Sequence, residues 1–279
     1  MEDWHTHNSL CRHAEGTLED YVKKAIDHNL NSIGFSDHFP YEFLKNIDNI
    51  PYQEYSMTLE EIEDYLSLAE FLREKYENKI QIKIGFELDF LIDQEKGLNA
   101  HLNNYITRLD YLLGSLHIQE GKKGTWCLDD ERFLKNYKAF GIDNVYVEYY
   151  QKMQKMLTSK EFDFDIVSHF DLPKKFSKIP TDKELIENEV NKTLELVKKG
   201  NYVVEINTGG IRKDINEQYP SETIIKKMYE LDIPILLGSD AHDPNEVGYE
   251  FNNMINKLNE IGYTQLVSFD KRVKSFIDI

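Results

Sequence analysis

The chain has 279 residues, 41% of them hydrophobic, and 50 acidic against 33 basic side chains give a formal net charge of −17. That balance excludes a protein whose main task is gripping a nucleic-acid backbone, because such affinity comes from clustered Lys and Arg; a small phosphorylated molecule stays open as partner, since cations gathered in a pocket can reverse the local field. No apolar run reaches the roughly 20 residues that cross a bilayer; the opening "MEDWHTH" lacks the apolar core of a signal peptide; and Cys11 and Cys127 are too few for a disulfide framework. A cytoplasmic protein without membrane contact, folded as one domain over 1–279, is expected.

A first strand is expected at 3–7 ("DWHTH"), followed by a helix that opens on Thr17 and Asp20, spaced as a capping box, and runs to about Asn29. A second strand at 31–38 ("NSIGFSDH") precedes a helix from Thr58, with Glu61 in the same capping spacing, to about Glu77. The third strand, 80–90 ("IQIKIGFELDF"), leads to a helix at 93–108, and the fourth, 111–117 ("YLLGSLH"), to a long loop at 118–133 and helices at 129–139 and 143–158. After a fifth strand at 164–170 ("FDIVSHF"), the helix beyond Thr181 carries Ile186, Val190, Leu194 and Val197 at helical spacing, an inward stripe. Strands at 202–208 and 233–242 are separated by a helix at 221–231 and followed by one at 244–261, and a short eighth strand is expected at 264–269. Seven strands, each followed by a helix or a long loop, point to a closed or nearly closed (β/α) barrel. In such barrels the catalytic residues come from the C-terminal ends of several strands.

The strand ends carry most of this chain's histidines. Read in order, they give His5 and His7, Asp37 and His38, Glu87 and Asp89, His117, His169, Glu205 and Asn207, and Asp240 and His242, with His13 in the first loop. Of the nine histidines, His28 and His101 alone fall inside predicted helices, where they read as solvated. His5 and His7 are two apart, so on a strand both face the lumen; Asp240 and His242 repeat the spacing, and closing the barrel makes the two pairs neighbours. Imidazoles and carboxylates in this number suit zinc, manganese or iron, and they exceed what one ion can use, which implies two or three metals. Glu205 and Asp89 are either direct ligands or residues that fix a ligand's tautomer by a hydrogen bond. Asp37, beside His38, should point to the opposite face of an ideal strand.

The blocks "HTH…CRH" (5–13), "GFSDH" (34–38), "GFELD" (85–89), "GSLH" (114–117), "VSHFD" (167–171), "EINTGGIR" (205–212) and "GSDAH" (238–242) resemble, in order, the motifs of the PHP (polymerase and histidinol phosphatase) superfamily, and most of all its barrel-type histidinol-phosphate phosphatases. The resemblance spans nearly the whole chain. It implies a distorted (β/α)7 barrel, TIM-barrel-like, with three divalent metal ions. Carried over residue by residue, His5, His7, Glu87 and Asp240 would hold the first ion; Glu87, bridging, with His117 and His169 the second; and His13, His38 and His242 the third. Asp37, Asp89, Glu205 and Asn207 would orient these ligands.

The activity implied is hydrolysis of the phosphomonoester L-histidinol phosphate to L-histidinol and phosphate, in histidine synthesis, by a metal-bridging hydroxide attacking phosphorus in line, with Asp240 and His242 in the catalytic centre. Arg212, two glycines beyond the sixth strand, is placed to reach over the mouth and grip the phosphate in a bidentate fork, and Arg12, beside His13, could do the same. Ser115 reads as packed or hydrogen-bonded rather than nucleophilic, since no base is left free of metal work. Selectivity is expected in the loop 118–133, where Trp126 could stack on an imidazole and Asp129, Asp130 or Glu131 could meet an amine. The alternatives are another PHP-fold phosphoesterase, acting on phosphotyrosine or nucleotides, and a metal amidohydrolase, which also opens with His-x-His but does not require His13, His38 and Glu87.

Overall fold

The structure, a computed structural model, describes residues 1–42, 50–121 and 124–279. Its strands are β1 (Glu2–Asp3), β2 (Ser32–Phe35), β3 (Gln81–Asp89), β4 (Tyr111–Ser115), β5 (Ile118–Gly121), β6 (Gly124–Cys127), β7 (Ile166–Val167), β8 (Val203–Asn207), β9 (Ile235–Gly238), β10 (Gln265–Asp270) and β11 (Val273–Asp278). Seven of them form one parallel sheet in the order β1-β2-β3-β4-β7-β8-β9. Its two edges meet: the Trp4 amide donates to the Leu237 carbonyl at 3.0 Å and the His7 amide to that of Ala241 at 2.9 Å. The result is a nearly closed barrel of the expected (β/α)7 kind.

The strands end early at the mouth because side chains replace the ladder there. Ser36 Oγ accepts from the Thr6 amide, and Asp3 Oδ1 accepts from the amides of His5 and Ser239, so the chain stays extended and pinned while ordinary pairing thins to isolated bridges. Each substitute bond satisfies a buried backbone donor. Within the lumen, alternation sorts the side chains by height. Tyr111, Leu113, Ile166, Val203 and Leu236 join Trp4 in an apolar floor, while residues further along the same strand faces, Ser115, Glu205 and Asn207, are buried and polar.

Outside lie α1 (Leu18–Asp27), α2 (Ile62–Tyr76), α3 (Glu95–Leu102), α4 (Lys135–Phe140), α5 (Ile142–Thr158), α6 (Lys183–Gly200), α7 (Glu222–Glu230) and α8 (Phe251–Ile261). Both capping boxes form, at Thr17 with Asp20 and at Thr58 with Glu61, and Ile186, Val190, Leu194 and Val197 are the buried stripe of α6. The helix expected at 244–261 is broken: after a short 3₁₀ turn, Gly248 and Glu250 take left-handed φ values of 67° and 59°, and α8 starts only at Phe251. The eighth strand leaves the barrel. It pairs antiparallel with β11 through a turn in which Lys271 and Arg272 are both left-handed, and its Val267 and Phe269 seal the apolar floor from below. Among the described residues no helix is long and apolar enough to cross a membrane.

Candidate metal centre

At the mouth, Glu87 on β3 is the hub. Its Oε1 lies 2.8 Å from His169 Nε2 and 3.5 Å from His117 Nε2, while its Oε2 faces His5 Nε2 at 3.2 Å, His7 Nε2 at 3.4 Å and His38 Nδ1 at 3.2 Å. The carboxylate thus divides its two oxygens between two sets of imidazoles. Asp240 Oδ1 completes the first set, 3.4 Å from His7 Nε2 and 3.7 Å from His5 Nε2. Beside it the ring of His242 stacks on His7 at 4.2 Å between centroids, and His13 lies 4.9 Å from His242 and 5.3 Å from His38. All nine residues named from the sequence as metal ligands therefore meet in one place.

The ring orientations say what this place is built for. His5 Nδ1 donates to Glu205 Oε1 at 2.7 Å and His117 Nδ1 to Asp89 Oδ2 at 2.9 Å, so in the neutral ring, the form that binds metal, each Nε2 offers its lone pair to the site. Yet His5 Nε2 points at His7 Nε2 across 3.0 Å, and His117 Nε2 at His169 Nε2 across 3.1 Å. Two nitrogens bound to one tetrahedral zinc, at about 2.0–2.1 Å each, sit roughly 3.3 Å apart. Nitrogens converging at this separation need a positive charge between them, a metal ion or, in its place, a shared proton. Among the described residues, Glu87 Oε2 and the Nδ1 atoms of His7, His38 and His169 are also buried without a hydrogen-bond partner, and such groups call for a ligand. The residues fit divalent metal.

The electrostatics agree. Burial alone would lower the His5 pKa, but Glu205, Glu87 and Asp240 outweigh it and hold the ring well above its ordinary value. His117 is pushed up to about 10, with burial opposing and Asp89 and Glu87 prevailing. Burial likewise works against the ionised forms of Glu87 and Asp240, and the surrounding histidines hold both well below the carboxylate range. His38 and His242, where burial dominates, fall well below the ordinary value and stay neutral. A neutral imidazole is the ligand form.

A ring of hydrogen bonds orients these side chains. Glu205 Oε2 accepts from the His169 amide and from Asn207 Nδ2, both at 3.0 Å, and Asp89 Oδ1 accepts from the His117 amide. Ser115 donates its hydroxyl to Glu87 Oε1 at 2.6 Å. Asp37 departs from the expectation for an ideal strand. Because β2 ends at Phe35, its carboxylate turns inward, accepting from Asn8 and lying 3.5 Å from His7 Nδ1.

Two substrate contacts expected from the sequence are corrected by the geometry. Trp126 is 3% exposed and stacks on Phe140, because β6 alternates and Cys127, its neighbour, takes the face toward the site. Arg212 folds back: its Nη2 donates to the carbonyls of Ser239 and Asp240, its Nε lies 2.9 Å from Glu246 Oε1, and the guanidinium sits over the Tyr249 ring. It buttresses the Asp240 loop and does not line the cavity. Arg12 does line it, paired with Glu61.

The cavity has two chambers. The inner one, about 190 Å³, lies over Glu87, His117, His169 and Asp240 and is rimmed by Lys175 and Lys213. The outer one, about 520 Å³, carries Tyr41 and Tyr55 among its walls. Neither lysine was picked out from the sequence. Both follow strand ends, Lys175 after β7 and Lys213 after β8, so the rule that found the histidines would have reached them. Burial and the nearby Lys175 and Arg212 cations lower the Lys213 ammonium pKa; burial opposes ionisation of Asp129, but Lys175 and His117 hold its carboxyl below the usual range. Of loop 118–133, residues 122 and 123 lie outside the described residues.

Comparison with known proteins follows the same line. The family model for the PHP domain matches residues 3–209. A Deinococcus radiodurans protein named "Probable histidinol-phosphatase" is 30% identical over 260 residues, 93% of each chain, and the histidinol-phosphatase of Bacillus subtilis is 27% identical over 264 residues, 91% of this chain and 98% of its own. Among solved structures, the Lactococcus lactis histidinol phosphate phosphatase, crystallised with zinc, L-histidinol and phosphate, superposes with a TM-score of 0.78 at 19% identity over 98% of both chains. With a family match over most of its length and that family's barrel around its clustered histidines, the chain belongs to the PHP domain family.

Proposed function

We propose that this protein hydrolyses L-histidinol phosphate to L-histidinol and phosphate, with three divalent ions, zinc, manganese or iron, held by His5, His7, His13, His38, Glu87, His117, His169, Asp240 and His242. The observation that carries the reading is the pair of facing Nε2 contacts around Glu87, 3.0 and 3.1 Å, at the base of a chamber edged by two lysines. When bound, divalent cations lower the pKa of water toward neutrality and offset charge on the phosphoryl oxygens.

The chain's own groups do the rest. Glu205 and Asp89 keep the imidazoles of His5 and His117 in one tautomer and orientation, and the Asp37 carboxylate lies 3.5 Å from His7 Nδ1. Lys175 and Lys213 supply positive charge at the inner chamber, where a phosphate dianion would sit. Arg212 fixes the Asp240 carbonyl, and with it the loop that carries Asp240 and His242. The Deinococcus and Bacillus relatives carry the name of this activity along nearly their whole lengths, which supports the same substrate here. We infer that the 279 residues act as one unit, and that the free, buried thiols of Cys11 and Cys127 suit a reducing cytoplasm.

Protein loaded with Mn²⁺ or Zn²⁺ should release phosphate from L-histidinol phosphate with a higher kcat/KM than from phosphotyrosine or a nucleoside monophosphate, and should leave a small amide intact. Failure to turn over histidinol phosphate, with metal content verified, would overturn the reading.

A further inference from the structure

The two chambers share a short boundary, and one carboxylate stands on it. Asp129 lines both, as does Lys175. Lys175 Nζ donates to Asp129 Oδ2 at 3.1 Å and to the Asp129 carbonyl at 2.8 Å, and among the described residues no donor reaches Oδ1. The side chain is 29% exposed, opening to the cavity.

The other acids near the cavity are engaged. Glu54 accepts from Arg132 Nη1 at 2.8 Å, and Asp130 takes two of that guanidinium's nitrogens and the Tyr55 hydroxyl. Asp89 is bound by His117 and Tyr41, while Glu87 and Asp240 face the histidine cluster. Among the described residues Asp129 is the acid that lines both chambers, and its Oδ1 remains to accept.

The substrate's chemistry selects this position. In an imidazolyl amino-alcohol phosphate the ammonium is four bonds from phosphorus, between the phosphate and the ring. A phosphate in the inner chamber and an imidazole between Tyr41 and Tyr55 in the outer one leave the ammonium at the boundary. We propose that Asp129, through Oδ1, accepts the ammonium group of the substrate and so determines specificity for phosphomonoesters bearing a cation beside the ester. The inference rests on the substrate reading above. Lys175, shared between Asp129 and the phosphate, keeps the charges alternating along the cavity. Nucleotides and phosphotyrosyl peptides place no ammonium next to the ester, so this contact works against them.

The test compares L-histidinol phosphate with its des-amino analogue, imidazolylpropyl phosphate, in the wild-type, Asp129→Asn and Lys175→Met proteins, all metal-loaded. A hydrogen-bonded ion contact of this kind should make the wild type prefer the amine by roughly 10- to 100-fold in kcat/KM. Asp129→Asn should collapse that ratio toward one. Lys175→Met should lower both substrates and keep the ratio. If Asp129→Asn lowers both equally and preserves the ratio, Asp129 acts only through Lys175 and the proposal is wrong. A wild type that hydrolyses neither compound would overturn the substrate assignment instead, and this inference with it.

Discussion

Glu205 sits completely buried with both oxygens committed to donors: Oε1 to His5 Nδ1–H, Oε2 to the His169 amide and Asn207. Glutamine has the same shape but only one acceptor oxygen. Either way round, its NH₂ would confront a donor, His5 Nδ1–H or the His169 N–H. If the His5 tautomer flips to relieve the clash, its Nε2 gains a proton and ceases to be a ligand. Glu205→Gln should therefore weaken metal binding by roughly 10- to 100-fold, the usual range for losing such an orienting partner, without unfolding the barrel. Competition with a chelator measures it, and an unchanged affinity would mean that His5 does not ligate through Nε2.

Strand β9 makes the same site possible by what it lacks. A Cβ on Gly238 would lie 1.9 Å from Glu205 Oε1 and 2.7 Å from His5 Cβ. Gly238→Ala should thus destabilise the protein by about 1–3 kcal/mol, as overpacked buried positions do, and displace Glu205 from His5. Denaturant unfolding together with elemental analysis would register both effects; an alanine variant with wild-type stability and full metal content would contradict the packing described. Elements of this kind were legible beforehand because a strand's period of two ties face to residue number, which brought His5 with His7 and Glu87 with Asp89. What escaped was set by local breaks in that period. Alternation within an unforeseen hairpin turned Trp126 inward and left Cys127 at the cavity; left-handed residues at Gly248 and Glu250 cut a helix that periodicity ran together; and Arg212 found carbonyls and Glu246 nearer than the mouth. Long, flexible cations choose partners by three-dimensional proximity, which sequence spacing does not encode.

Across the whole molecule, the barrel divides labour by height: an apolar floor around Trp4 and Tyr111 carries the packing, and the polar mouth carries charges that oppose one another. Without cations, protons take their place, which ties stability to pH. His117 titrates near 10 in the folded chain against an ordinary 6.5, so its pairing with Asp89 and Glu87 stabilises the stripped protein in full below pH 6.5 and is lost as the pH climbs toward 10. His5 and His7, also raised, act in the same direction. Metal must displace those same protons, so its apparent affinity grows over the interval in which the stripped protein weakens. Bound metal stabilises in proportion to the logarithm of that affinity. The gap in Tm between metal-loaded and chelator-treated protein should therefore widen steadily from pH 6.5 to pH 9, with protons released on loading at neutral pH. A gap that stays constant across this range, or narrows, would show that the histidines are not the groups exchanging protons for metal.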